Sequence, residues 1–324
     1  MRIRTMPMVA AASAAALMLT ACSGSGTGAG GQEDAADYPS EDITFIVQAA
    51  AGGGSDLASR TLATAMESIL DTSIIVENRP GAAGSTAMQY VADQDPDGYT
   101  IGFIPVEIAM LGHMDYDVDP ADYDFLGQIM NAPAVLSVPA DSPYQTLEEF
   151  IDGSKEKSLS VANSGAGSIW EAVTFALSDA TGAQLEPVPF DGGAPAVAAV
   201  VGGQVDAAVS GAGEALTGYE EGQTRVLAIF AEEPHPQMSD VPTTVDLGYE
   251  DLQFGGWGGV YAPKGLPDEV RATLEEAIKK AANSDSFTET MTKAGNVPVY
   301  KSGEEFTQWV NDQYERFGEI LGNR

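Results

Sequence analysis

Ile43-Thr44-Phe45-Ile46-Val47-Gln48 runs into Ala49-Ala50-Ala51-Gly52-Gly53-Gly54-Ser55-Asp56, after which Leu57, Leu62, Met66, Ile69 and Leu70 recur at helical spacing. The first run is β-branched and aromatic, which suits a buried strand. The last is the apolar stripe of an amphipathic helix, and Ser55 or Asp56 is the expected N-cap. Strand, glycine-rich turn and helix in that order form one unit of an α/β protein with a parallel or mixed sheet.

Working outward, the unit repeats. Ile74 to Glu77 predicts a strand, ended by the Pro-Gly turn of Asn78-Arg79-Pro80-Gly81. Ser85 or Thr86 then caps a helix reaching Val91, and Pro96-Asp97-Gly98 turns into a strand over Tyr99 to Ile104. Val135 to Val138 and Leu159 to Ala162 predict further strands. The second is followed by Asn163-Ser164-Gly165-Ala166-Gly167-Ser168 and a helix through Ile169, Val173 and Leu177. Pro187 to Phe190, Val205 to Val209, Val226 to Ala231 and Gly255 to Ala262 read as extended, and Ala194 to Val201 as helical. Three helical stretches, Leu266 to Ala282, Phe287 to Ala294 and Glu304 to Leu321, occupy the tail. No internal repeat of fixed period is present.

The chemistry lies in the two glycine-rich strand-to-helix loops. Glycine lets a backbone approach a ligand closely. A helix start offers unpaired N–H groups and a partial positive charge. Together they form an anion site that needs no lysine or arginine.

Composition removes most competing functions. The 324 residues carry 48 acids against 15 bases, a formal charge of −33, and 44% are hydrophobic. That is enough to build a core, whereas a duplex-binding protein needs a basic footprint. Nucleic acid is therefore not an expected partner. One cysteine and two histidines leave little for a metal site, and no metal or cofactor is expected. The chain has no Walker sequence, dinucleotide fingerprint, nucleophile elbow or zincin helix. Asp115, Asp117, Asp119, Asp122 and Asp124 lack the glycine and terminal glutamate of a calcium loop and read as a solvated acidic loop. His113 and His235 read as surface residues.

The N-terminus reads as an address. Arg2 and Arg4 precede an apolar stretch, Met6 to Leu19, whose core is shorter than the roughly 20 residues of a membrane span. It ends in Leu19-Thr20-Ala21-Cys22, which resembles the lipobox of bacterial lipoproteins, so residues 1–21 are the expected signal peptide and Cys22 the lipidated residue. Residues 22–37 are rich in Gly, Ser, Ala and acids and read as a flexible tether. The expected location is extracytoplasmic, on the cell membrane by a lipid anchor.

The loop Ala50-Ala51-Gly52-Gly53-Gly54-Ser55-Asp56 with Arg60, and the stretch Glu77-Asn78-Arg79-Pro80-Gly81-Ala82-Ala83-Gly84, resemble the tripartite tricarboxylate transporter receptors, or Bug family. So do Pro96 to Thr100, Gly193 to Ala196, Gly202 to Asp206, Asp240 to Thr243, Trp257-Gly258 and Ala262-Pro263, in order, from about Tyr38 to the C-terminus. The resemblance implies a two-lobed periplasmic-binding-protein-like fold of type II, each lobe a mixed sheet flanked by helices, with a hinged cleft. Lobe 1 would be residues 38–138 plus 256–324 and lobe 2 residues 139–255. It further implies a monomeric, non-enzymatic receptor that captures a small carboxylate and delivers it to membrane transporter subunits. Carried over by position, Ala51, Gly52, Gly53 and Ser55 would meet the ligand, with Asp56 capping the helix and Gly84 and Ser85 facing the cleft. Lobe 2 would offer Ser164, Gly165, Gly167 and Ser168, with Asp206 lower down.

Glu171 and Asp191 stand where many relatives have histidine and lysine. These changes point either to a ligand with fewer negative charges than citrate, or with an amine, or to side chains that face away. Two other functions fit the same sequence less well: a receptor reporting to a signalling partner, and a hydrolase using Ser55 or Ser168.

Overall fold

A computed structural model describes residues 38–321; the expected signal peptide, the tether and Cys22 lie outside the described residues. Its spine is β4, Tyr123–Pro139, seventeen residues long and buried over most of its length. From Tyr123 to Pro133 it pairs antiparallel with β9, Gly255–Pro263. From Ala134 onward it pairs antiparallel with β7, Ala207–Gly211, and β8, Thr224–Ile229. One strand thereby serves two sheet halves, and it changes partners between Pro133 and Ala134.

Each half adds three parallel strands to that spine or its neighbour. In the first, β1 (Ile43–Val47) lies between β2 (Ile74–Asn78) and β3 (Thr100–Pro105), and β3 pairs antiparallel with β9. In the second, β5 (Leu159–Asn163) lies between β6 (Leu185–Pro189) and β7. The short β10, Val297–Ser302, pairs with β4 at its first-half end. Parallel strands need helical crossovers, and these supply the covering layers.

In the first half, α1 (Gly54–Leu70) packs on α7 (Asp268–Ala282) and α8 (Asp285–Lys293). Its buried face is Ala58, Ser59, Leu62, Ala63 and Met66. Leu57 and Ile69, read from the sequence as part of the stripe, are 37% and 38% exposed. Alanines replace them on the buried face because they let α7 and α8 approach closely. Leu62 and Met66 are fully buried, worth about 2 kcal/mol each by apolar area. The C-terminal α9, Gly303–Leu321, packs on β4. In the second half, α4 (Ile169–Thr181), α5 (Gly193–Val201) and α6 (Ala212–Glu220) accompany α3 (Leu147–Glu156). In the first half, α2 (Ser85–Ala92) follows β2.

Four features depart from the sequence reading. The N-cap of α1 is Gly53, not Ser55 or Asp56, because the Asp56 carboxylate reaches back to the Gly52 N–H (2.9 Å). The N-cap of α2 is Gly84, not Ser85 or Thr86. His235 is buried, its Nε2 3.1 Å from the Gly295 carbonyl, and burial pushes its pKa down. Asp124 is buried rather than solvated: it accepts from the N–H groups of Gly265 and Leu266 and pairs with Lys264 and Arg271. Those partners come from the loop after β9 and from α7, more than 130 residues away in sequence.

Candidate ligand-binding site

In open α/β sheets a ligand binds outside the carboxyl ends of the parallel strands. Here those ends converge on one cavity of about 600 Å³ between the two sheet halves. Gln48 and Ser55 come from the β1–α1 turn, Gly81 to Gly84 from the β2–α2 turn, and Glu107 from the turn after β3. Ser164 and Ser168 come from the β5–α4 loop, Gly192 from the β6–α5 turn and Gly211 from the β7–α6 turn. Phe103, Met130, Trp170 and Trp257 line its apolar parts.

Five helices thus begin at one cavity. Three of them, α1 at Gly53, α2 at Gly84 and α5 at Gly192, start without a side-chain cap. The first-turn N–H groups of such helices lack intrahelical acceptors and carry the positive end of the dipole. The other two starts are occupied by acids of the chain itself. Glu107 accepts from the Ile169 N–H at the start of α4. Glu214, from the first turn of α6, accepts from the Gly211 N–H (2.9 Å). Burial pushes the Glu107 carboxyl up to about 7 against hydrogen bonds from its own N–H and that of Ile169. Burial also raises Glu214, against the Gly211 N–H. No lysine, arginine or histidine lines the cavity among the described residues.

The backbone is shaped to this end. Ala82 and Ala83 adopt positive φ, 46° and 54°, in the turn that faces the cavity. Non-glycine residues there cost about 1–2 kcal/mol each. Gly193 admits the Glu214 carboxylate so closely that a Cβ would stand 2.0 Å from it.

Of the residues singled out in the sequence, Ser55, Gly84, Ser164 and Ser168 line the cavity. Ala51, Gly52, Gly53, Asp56, Ser85, Gly165, Gly167 and Asp206 are not among its lining residues. Several are engaged in holding the loops. Asp56 binds Gly52, Arg60 and Asn78; the Gly165 N–H goes to Asn163; Asp206 holds the N–H and hydroxyl of Ser160. The Gly167 N–H donates to Glu171 (2.7 Å), so Glu171 is used in shaping its own loop. Gly167, Ser168 and Glu171 line an adjoining cavity of about 320 Å³ with His113. His113 stacks on Tyr314 and contacts its carbonyl through Nε2 (2.8 Å). Neither histidine lines the main cavity near Ser55 or Ser168. Among the described residues, no group of three or more metal-ligating side chains could hold an ion.

Glu107, Glu214, Trp170 and Trp257 were missed. Glu107 had a signal: it is the one charged residue in the run from Thr100 to Gly112.

A mixed α/β fold with a cavity between two sheet halves at the strand ends defines the periplasmic-binding-protein-like class. Residues 58–324 match the family described as tripartite tricarboxylate transporter family receptor. The chain belongs to that family, whose members are solute-binding receptors and not enzymes. It is similar to the "UPF0065 protein in the TAR-I ttuE-ttuC' intergenic region" of Agrobacterium vitis, 30% identical over 267 residues, 81% of this chain and 77% of that one. It is also similar in structure to MatC from Rhodopseudomonas palustris, solved with bound malate. There the TM-score is 0.77 at 28% identity, covering 88% of this chain and all of that one. A second R. palustris protein, solved with adipate, gives a TM-score of 0.78 at 26% identity, covering 88% and 99%.

Proposed function

We propose that the chain is an extracytoplasmic receptor that holds a small organic carboxylate in the cavity and delivers it to a tripartite membrane transporter. The observation that carries this reading is the set of three uncapped helix starts on one cavity with no cationic side chain. Main-chain amides there do what arginine does elsewhere. The malate and adipate held by the two similar structures belong to the same chemical class.

Ser55, Gly84, Ser164 and Ser168 are the proposed contacts among the residues singled out in the sequence. The proposed lobes are residues 38–138 plus 256–324 and residues 139–255; β4, which changes partners at Pro133–Ala134, and the return of the chain at Gly255 form the hinge. A ligand that prefers the closed state supplies the free energy of closure. Cys22 carries the lipid that keeps the monomeric receptor at the membrane, and two acyl chains suffice for stable attachment.

The test is a thermal-shift screen of the full chain against mono-, di- and tricarboxylates, amino acids and aromatic acids. A ligand present at 100 times its dissociation constant should stabilise by about 2.7 kcal/mol. A flat response to every organic acid rejects the reading. Cys22→Ala should move the protein from the membrane fraction to the soluble one.

A further inference from the structure

The helix starts on the cavity differ in what already occupies them. The starts of α1, α2 and α5 have no side-chain cap. The starts of α4 and α6 are already occupied by Glu107 and Glu214. An anionic group is welcome at α1 and α2, where dipole and N–H groups are unmatched; at α5 the Glu214 carboxylate already stands against Gly193. At α4 and α6 an anionic group would face a carboxyl across a low-dielectric gap, and like charges there repel strongly.

A further group points the same way. Gln48, on the cavity wall, donates through Nε2 to Ser55 Oγ (3.0 Å), while its Oε1 is buried without a partner. An orphaned buried acceptor costs about 1–3 kcal/mol and is satisfied only by a donor. Gln48 Oε1 and, when ionised, Glu107 and Glu214 are acceptors, and an unsubstituted dicarboxylate such as adipate brings no donor to any of them at neutral pH, while malate brings a single hydroxyl. An ammonium brings three donors and a positive charge.

We infer that the cavity is built for an amino-carboxylate, with the carboxylate at the uncapped starts of α1 and α2 and the ammonium supplying donors to Gln48 Oε1, Glu107 and Glu214. This deepens the receptor reading and rests on it. Glu107 and Glu214 are then specificity residues: they cost a dianion its binding and repay a zwitterion. Glu171 has no part in this, since its carboxylate is held by the Gly167 N–H.

The test is calorimetric titration of the full chain at pH 7 with matched pairs: L-glutamate and glutarate, L-aspartate and succinate, L-leucine and 4-methylpentanoate, 4-aminobutyrate and butyrate. Malate and adipate complete the panel. In at least one pair the amino member should bind tenfold or more tightly, and Glu107→Gln should shrink that preference at least tenfold. A circular-dichroism melt shows whether the variant is folded, and the wild-type pairs test the inference without it. Binding of malate, adipate or a deamino member with no amino member preferred overturns the inference and leaves the receptor standing. So does carboxylate binding with proton uptake, seen as heat that varies with the buffer's ionisation enthalpy, because it would mean that protonated Glu107 or Glu214 donates to the ligand. Binding by no compound of the panel overturns the receptor reading and this inference with it.

Discussion

Glu107 shows how a single side chain sets the electrostatics of a site. Its carboxyl is raised to about 7 by burial, so the empty protein carries a cost that grows with pH. Below about 4.5 the group is protonated in both the folded and unfolded chain. As pH rises from about 4.5 to about 7 the unfolded chain ionises first, and folded-state stability falls. The expected outcome is a denaturation midpoint that declines across that window, and a flatter profile in Glu107→Gln; identical profiles would contradict it. Asp56 behaves in the opposite sense. Its hydrogen bond with Arg60, outweighing desolvation, and those with Gly52 and Asn78 hold its pKa down to about 2. That stability is present above about pH 4 and is lost as pH falls toward 2. Asp56→Ala should cost about 2 kcal/mol by leaving the Gly52 N–H and Asn78 amide unmatched, measured by chemical denaturation at pH 7. Both acids were visible in the sequence. Their roles were not, because the partners that decide them, Ile169 for one and Asn78 for the other, lie 62 and 22 residues away in the chain.

In the proposed receptor the helix start is the element that carries recognition. It is a composite of a glycine-rich turn and the first four N–H groups, and its value depends on whether anything already accepts from it. At α4 the Ser168 hydroxyl accepts from the Glu171 N–H (3.3 Å), whereas α1 begins at Gly53 with no side-chain acceptor. Gly54 is the direct probe of α1. It lines the cavity, and a Cβ there would meet nothing within 4 Å. Gly54→Val should therefore fold with a melting temperature close to wild type and weaken carboxylate binding about tenfold or more, by blocking approach to the backbone. Undiminished affinity would remove α1 from the site. The glycine-rich loops were legible as strand-to-helix turns from composition and spacing alone. Which of them were open to a ligand was not, since capping depends on side-chain rotamers that spacing leaves undetermined.

At the scale of the whole molecule, β4 joins the two sheet halves, and the halves also meet at the cavity. Gly213, at the start of α6, approaches the loop after α8 so closely that a Cβ would stand 2.4 Å from the Ala294 carbonyl. Both residues line the cavity. If closure uses this contact, Gly213→Ala should hold the halves apart. Ligand affinity should then fall tenfold or more while the unfolding midpoint in denaturant changes little. Small-angle scattering should show a smaller radius of gyration on ligand addition in the wild type and no change in the variant. A ligand-induced compaction retained in the variant would dissociate this contact from closure.

Much of this protein is local, and that part was readable from the chain itself. The alternation of β-branched runs, glycine turns and amphipathic helices follows from side-chain period and turn chemistry, and it specified an α/β fold with anion-ready helix starts. Tertiary structure decided the rest. It extended a four-residue expected strand, Val135 to Val138, into the seventeen-residue β4. The polar and glycine positions of that strand, Asp124, Gly127, Gln128 and Asn131, break the apolar pattern and pair with residues far along the sequence, from β9, β10 and α7. It also brought Glu107 to the start of α4, 62 residues away, whereas Glu214 reaches the start of α6 from that helix's own first turn. Burial and charge pairing are sums over neighbours in space, and no local pattern can state them before the chain has folded.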